Sequence, residues 1–238
     1  MIALIDYGGG NVGSVLKAIR YLGCPAEVVA RPDELAAATK IILPGQGHFG
    51  AMMKALEDRA MLDPLRRMIL PGDTCVAPSE GKPFHGNAAV PFASLRPCPE
   101  RSEGAGPPAA LQGKPFLGIC LGLQVLYEGS DEAPGVPGLG VLRGRVKRFE
   151  GVFKVPHVGW SQLEISRDAK LLRGVEPGSF VYYCHSYYGP VTPESAAITD
   201  YGQRFAAVVE AENLAAVQFH PEKSGEVGLR VLKNFLEC

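Results

Sequence analysis

Phe116-Leu117-Gly118-Ile119-Cys120-Leu121-Gly122-Leu123-Gln124 is the stretch on which the fold turns. It begins as a short apolar run with no polar alternation, the pattern of a strand buried on both faces. It passes directly into a cysteine with glycines two residues to either side, and then into an apolar stretch that reads as a helix from Leu121 to Tyr127. Strand, sharp turn and helix in that order are the unit of a parallel, helix-covered sheet.

The same unit recurs upstream. Ile2-Ala3-Leu4-Ile5 opens into Gly8-Gly9-Gly10-Asn11, followed by a helical pattern with Val12, Val15, Leu16, Ile19 and Leu22 apolar. Val28-Val29 and Ile41-Ile42-Leu43 repeat the strand signal around a short helical stretch at Asp33-Glu34-Leu35. Beyond Val141 the texture changes to β-type runs at Val141 to Phe149, Phe180 to Tyr183, Phe205 to Val209 and Leu214 to Phe219, and a helix from Val227 to Phe235 closes the chain. The fold class read from this order is α/β: an open, mixed and largely parallel sheet flanked by helices, with an antiparallel portion in the C-terminal half.

One segment breaks the pattern. Pro71 to Gln112 holds 8 Pro and 5 Gly in 42 residues and has neither helical nor strand period. Gly81-Lys82-Pro83-Phe84 reappears as Gly113-Lys114-Pro115-Phe116, as though a piece had been inserted and its landing site duplicated. The chain therefore reads as a single domain over 1–238, interrupted by a Pro/Gly-rich surface insertion at about 73–112 that is expected to be loosely packed or disordered. Cys75 and Cys98 fall inside it and carry no chemistry.

Composition excludes several classes. With 238 residues, 46% hydrophobic and 21% charged, the chain is globular and long enough for a substantial core. A formal charge of −1 without like-charge blocks gives no driving force toward nucleic acid or an anionic membrane. No apolar run approaches the roughly 20 residues of a membrane helix. The six cysteines form no CxxC pair, and the chain opens without a charged-then-apolar leader, so the thiols are read as reduced and the protein as cytoplasmic.

Gly118-Ile119-Cys120-Leu121-Gly122 is the sulfur counterpart of a nucleophile elbow. The strand-to-helix turn exposes the sulfur, and the helix start directs partial positive charge at it, which favours thiolate. The N–H of Leu121 is the natural first oxyanion donor. A lone buried cysteine can equally be an inert small hydrophobe. In Gln218-Phe219-His220-Pro221-Glu222 a strand ends with His and Glu two residues apart. In extended chain, with Pro221 fixing the backbone between them, both would lie on one face and Glu222 could orient the imidazole. The plainer alternative is a surface histidine near a strand end. Cysteine, histidine and glutamate together are nucleophile, base and orienter, the set that acyl transfer requires.

Two glycine-rich turns follow predicted strands. Leu43-Pro44-Gly45-Gln46-Gly47-His48-Phe49 lies where ligand sites of open α/β sheets collect and could offer an N–H to an oxyanion, or be an ordinary turn. Gly8-x-Gly10-x-x-Gly13, with Glu27 as a ribose partner, formally matches a dinucleotide fingerprint. That match alone is weak, and none of the eight tyrosines supplies the Tyr-x-x-x-Lys pair of a short-chain dehydrogenase.

Taken together, Gly118 to Gln124 and Phe219-His220-Pro221-Glu222 resemble the class I (triad) glutamine amidotransferases. Asp6 to Ser14, Pro44 to Gly47, Pro156-His157-Val158-Gly159-Trp160, His185-Ser186-Tyr187 and His220 to Ser224 look like the glutaminase subunits of imidazole glycerol phosphate synthases. The resemblance implies that Cys120 attacks the glutamine side-chain amide, with His220 as base and then acid and Glu222 holding it. Gly47 and Leu121 would form the oxyanion hole, the Gly47 loop rearranging to do so, and Gln124, Glu132, Ser186 and Tyr187 would bind substrate. Asn11, Ser14, Tyr182 and Lys223 would face a (β/α)8-barrel cyclase in a heterodimer that receives ammonia. No metal and no cofactor are called for. Rivals are the glutaminase of a pyridoxal phosphate or anthranilate synthase, a hydrolase or peptidase with the same triad, and a nucleotide-binding module.

Overall fold

A computed structural model describes residues 1–69, 113–151 and 153–237. The inferred insertion, with Cys75, Cys98 and the first Gly-Lys-Pro-Phe copy, lies outside the described residues.

The chain opens with β1 (Ile2–Ile5), α1 (Val12–Tyr21), β2 (Ala26–Val29) and a 3₁₀ turn at Pro32–Ala37. It continues with β3 (Lys40–Gly45), α2 (Phe49–Asp58) and α3 (Leu62–Ile69). Next come β4 (Phe116–Cys120), α4 (Leu121–Gln124), β5 (Tyr127–Ser130), β6 (Ala133–Pro137) and β7 (Leu142–Arg148). The last part holds β8 (His157–Gln162), β9 (Glu164–Ile165), β10 (Phe180–His185) and β11 (Tyr187–Tyr188), then β12 (Ser195–Asp200), β13 (Arg204–Ala211), β14 (Leu214–Val217) and α5 (Gly225–Glu237).

Eight strands form the main sheet in the order β2-β1-β3-β4-β14-β13-β12-β9. The first five run parallel and the remaining pairings are antiparallel, which is the architecture expected from the sequence. Alternate residues of the central strands go to opposite faces. Ala3, Ile5, Ile41, Leu43 and Phe116 join one core with Phe49, Met52, Leu56 and Leu65 of α2 and α3. Ile2, Leu4, Ile42, Leu117 and Ile119 join the other with Val15 and Ile19 of α1 and Val231, Leu232 and Phe235 of α5. Both faces of the central strands β1, β3 and β4 are therefore covered, which is why their sequences carry little polar alternation, whereas the edge strand β2 leaves Glu27 and Val28 exposed. A two-stranded sheet, β10-β8, and a four-stranded sheet, β11-β7-β5-β6, stand beside the main one.

The helix read as Leu121 to Tyr127 is shorter than expected. It stops at Gln124, and Tyr127 begins β5. The carbonyls of Val125 and Leu126 accept from the N–H groups of Leu139 and Val141, so the returning chain takes the bonds a continuing helix would have used. Tyr127, fully buried, donates its hydroxyl to the Pro190 carbonyl at 2.9 Å and anchors the departure.

Candidate active site

Four parallel neighbours, β1, β3, β4 and β14, deliver their C-terminal ends to one edge of the sheet, and the chain leaves β1 toward β2 on one side and β3 on the other. Such a reversal of strand order opens the crevice in which α/β proteins bind ligands. The loops that follow these four strands carry Tyr7 to Asn11, Gln46 to His48, Cys120 and Gln218 to Glu222.

Cys120 sits at the end of β4 with φ 54° and ψ −105°, a backbone conformation that is strained for any residue with a side chain. The elbow is held by close packing. A Cβ on Gly122 would lie 2.0 Å from the Leu43 carbonyl oxygen, and one on Gly118 would lie 2.6 Å from that of Gly122. Only glycine allows β3, β4 and the first turn of α4 to approach this closely, so the motif spacing is a packing requirement. The sulfur is nearly buried and accepts a hydrogen bond from the side-chain amide of Gln218 at 3.6 Å.

His220 and Glu222 meet as expected but by a different route. The chain after β14 does not stay extended: Pro221–Lys223 form a 3₁₀ turn, which Pro221 starts with its fixed φ and missing N–H. Nδ1 of His220 lies 2.9 Å from Oε1 of Glu222, and both side chains are essentially inaccessible to water. Burial alone would lower the His220 pKa. The negative charge of Cys120, hydrogen bonding to the sulfur and the contact with Glu222 outweigh it and raise the value to about 10. Among the described residues Nε2 of His220 has no hydrogen-bond partner within bonding geometry, so the coupling to the sulfur is chiefly electrostatic. Burial pushes the Glu222 carboxyl up, but His220 and the side chain of Asn11 together hold it below its ordinary range.

Gln124 is buried and donates through Nε2 to the Tyr187 carbonyl at 2.6 Å and to Oε1 of Gln218 at 3.2 Å. Gln218 therefore links Gln124 to the sulfur of Cys120. Gln218 stands inside the Gln218-to-Glu222 motif, where its residue type alone assigns no role. Its position in the same strand end, two residues before His220, was the available signal. Ser186 accepts at its carbonyl from Phe149, next to Tyr187. Glu132 places Oε2 2.7 Å from the Phe49 N–H, at the first turn of α2, where a carboxylate satisfies a helix start. His48 caps the same helix, Nδ1 accepting from Gly50. Gly47 is exposed at φ 105°, with no described residue within 4 Å of where a Cβ would stand.

Of the residues expected at a partner face, Asn11 turns inward and donates to Oε1 of Glu222 at 2.9 Å. Ser14 lies half-buried on α1. Lys223 places its ammonium 5.9 Å from the centre of the Tyr182 ring, and Trp160, about half exposed, meets that ring edge to face. The Tyr182 backbone grips the base: its carbonyl accepts from the His220 N–H at 2.9 Å. Its N–H donates to Oγ of Ser224, which in turn donates to the His220 carbonyl.

Behind the site, His157 and His185 are buried among Phe149, Tyr183, Tyr201 and Phe205. Their ring nitrogens are 3.3 Å apart, and the line continues to Ser161 on one side and the Tyr187 carbonyl on the other. Burial lowers His157 to about 4 and His185 to about 3.

Comparison with known proteins gives the family. The sequence model of the family described as glutamine amidotransferase class-I matches residues 105–238. The imidazole glycerol phosphate synthase subunit HisH of Methanothermobacter thermautotrophicus is 44% identical over 238 residues, covering 100% of this chain and 98% of that protein. The chain belongs to the class-I glutamine amidotransferases, in their HisH branch. It is therefore an enzyme of the glutaminase type. The HisH of Thermococcus kodakarensis is 40% identical over 241 residues, with 99% and 98% of the two chains covered. In fold, a solved glutamine amidotransferase superposes with a TM-score of 0.64 at 18% identity, covering 100% and 98%. A solved PurLQS from Thermotoga maritima gives 0.61 at 16%, covering 99% and 97%. Among the described residues no helix of this amidotransferase is long and apolar enough to cross a membrane.

Proposed function

We propose that this amidotransferase hydrolyses glutamine through a thioester on Cys120, as the glutaminase subunit of an imidazole glycerol phosphate synthase. The observation that carries the reading is the pairing at one sheet edge of a positive-φ cysteine with a buried His220 held by Glu222. The sulfur of Cys120 attacks the carboxamide carbon of glutamine, and the carbonyl oxygen becomes an oxyanion facing the N–H groups of Leu121 and Gly47. His220 takes the thiol proton and returns it to the leaving nitrogen, so that ammonia departs as the C–N bond breaks. It then draws a proton from water, which cleaves the thioester to glutamate. Glu222 fixes the imidazole orientation and stabilises its cationic form. Gln124, Glu132, Ser186 and Tyr187 form the pocket for the amino-acid end of the substrate.

Ammonia passes to a (β/α)8-barrel cyclase docked at the face of Asn11, Ser14, Tyr182 and Lys223, in the cytoplasm. That partner makes imidazole glycerol phosphate and aminoimidazole carboxamide ribotide for histidine biosynthesis. Exposed Trp160 beside Tyr182 and Lys223 supports a docking face here, because an apolar ring rimmed by polar groups is the composition of an interface centre. We also read 1–238 as one amidotransferase domain interrupted at about 73–112. The deciding assay measures glutamine hydrolysis with and without the cyclase and its ribulosyl ligand. Cys120→Ala is expected to cut turnover by about 10⁴-fold or more while the chain stays folded. Turnover surviving that substitution removes the nucleophile assignment.

A further inference from the structure

Gln218 directly follows β14 and is fully buried beside the elbow. Its Nε2 lies 3.6 Å from the Cys120 sulfur, and its Oε1 lies 3.2 Å from Nε2 of Gln124. Which end of this carboxamide meets the sulfur is decided farther along the same set of bonds. The Tyr187 carbonyl can only accept, and Nε2 of Gln124 stands 2.6 Å from it, so the nitrogen end of Gln124 is the one turned toward Tyr187 and Gln218. An amide nitrogen can only donate, so the oxygen of Gln218 must face it and the nitrogen of Gln218 is left for the sulfur. Nδ1 of His185 donates to the same Tyr187 carbonyl at 2.8 Å and pins it from a second side. Burial holds both rings of the histidine pair neutral, so Nε2 of His185 accepts from Nδ1 of His157, and Nε2 of His157 accepts from Oγ of Ser161. Every donor in the set thus has one direction. His220 meets the sulfur chiefly as a charge, whereas Gln218 meets it with a directed N–H.

We infer that Gln218 is a further residue of the nucleophile site: its carboxamide N–H orients the Cys120 sulfur and stabilises the thiolate, while Gln124, the Tyr187 carbonyl and His185 keep that N–H turned toward it. A hydrogen bond to the charged form of a group favours that form, and one to an anion is stronger than one between neutral partners. The thiolate appears twice in each cycle, at the attack on the amide and again when water cleaves the thioester. A neutral amide, with no proton to give up, serves both steps. The inference rests on the reading of Cys120 as nucleophile and adds a group that readies it.

Gln218→Met keeps the unbranched shape of the side chain and deletes the donor. In the full chain, alkylation of Cys120 by iodoacetamide is read on the Cys120 peptide by mass spectrometry, so the other five cysteines do not interfere. At neutral pH it is expected to slow by roughly tenfold, and its pH profile to move up by about one unit, the scale of one hydrogen bond to a charged group. The kcat for glutamine hydrolysis should fall about tenfold, with KM changed by less than about threefold. An alkylation profile that stays where it was overturns the inference, because a residue that only fills space or props Gln124 would change KM alone. The unsubstituted chain supplies a measurement that does not depend on the variant folding. One side-chain amide proton of Gln218 should move to lower field as the Cys120 thiolate forms, with the midpoint of the alkylation profile, and a signal independent of pH overturns the inference as well. Turnover surviving Cys120→Ala would sink the nucleophile reading, whereas alkylation at Cys120 reports on Gln218 whether or not glutamine is turned over.

Discussion

The elbow around Cys120 and the loop around Gly47 lie side by side at the ends of β4 and β3, yet they are built on opposite principles. At the elbow every glycine position is closed by backbone: the Leu43 carbonyl stands 2.0 Å from where a Gly122 Cβ would be. At Gly47 the same position meets no atom within 4 Å among the described residues. The nucleophile is therefore placed by the sheet itself and cannot shift without breaking core packing. The proposed oxyanion donor sits at a positive-φ glycine in an exposed turn. The strained geometry is thereby confined to the part of the site that core packing holds in place.

The contrast can be broken most severely at Gly122. Gly122→Ala should destabilise the fold by about 3 kcal/mol or more, read as a large fall in the thermal midpoint or loss of soluble protein. Gly47→Ala should cost only the positive-φ penalty of about 1–2 kcal/mol while depressing kcat. Equal stability losses at the two glycines would mean that the loop is packed like the elbow after all.

Acid sharpens the rigid side. His157 and His185 have folded pKa values near 4 and 3, below the ordinary value of 6.5, so the unfolded chain binds protons that the folded chain refuses. Their stability contribution is present above pH 6.5 and is lost as pH falls toward 4. At pH 5 the loss is on the order of 2 kcal/mol per histidine at most. Thermal melts from pH 7.5 to 5 should show it, and the dependence should flatten in His157→Phe. An unchanged slope in that variant would assign the acid lability elsewhere.

The smallest effect is expected at Asn11, where the loop after β1 touches the triad. Asn11→Ala removes one hydrogen bond to Glu222 and should lower kcat about tenfold with little change in KM. It should also move the pH profile, because Asn11 helps hold the Glu222 carboxyl low. A fall in activity without any shift of the profile would give Asn11 a merely structural part.

Much of this was legible in the sequence where local and global preferences agree. Ile2 to Ile5, Ile41 to Leu43 and Phe116 to Ile119 read as doubly buried strands because they are, and Gly118 and Gly122 announced an elbow because no other residue fits there. The pairing of His220 with Glu222 was readable, but its mechanism was not. An extended strand would bring His220 and Glu222 to one face, whereas His220 instead caps the 3₁₀ turn Pro221–Lys223 that carries Glu222. The true end of α4 was hidden because Val125, Leu126 and Tyr127 are as apolar as a helix face would be. What diverts them is the returning chain at Leu139 to Val141, a contact no local pattern encodes. Asn11 was placed at a partner face from resemblance alone. Its bond to Glu222 spans 211 residues of sequence and needed the folded chain to be seen.

The grip of Tyr182 on His220 has a further bearing. Strand β10 and the base are joined through peptide groups and the Ser224 hydroxyl, with no contribution from the Tyr182 side chain. Changing what the Tyr182 ring touches would leave that joint whole. The outward residue is therefore free to vary with whatever it meets while strand and base stay joined, as in a lever whose handle can be exchanged without loosening the pivot.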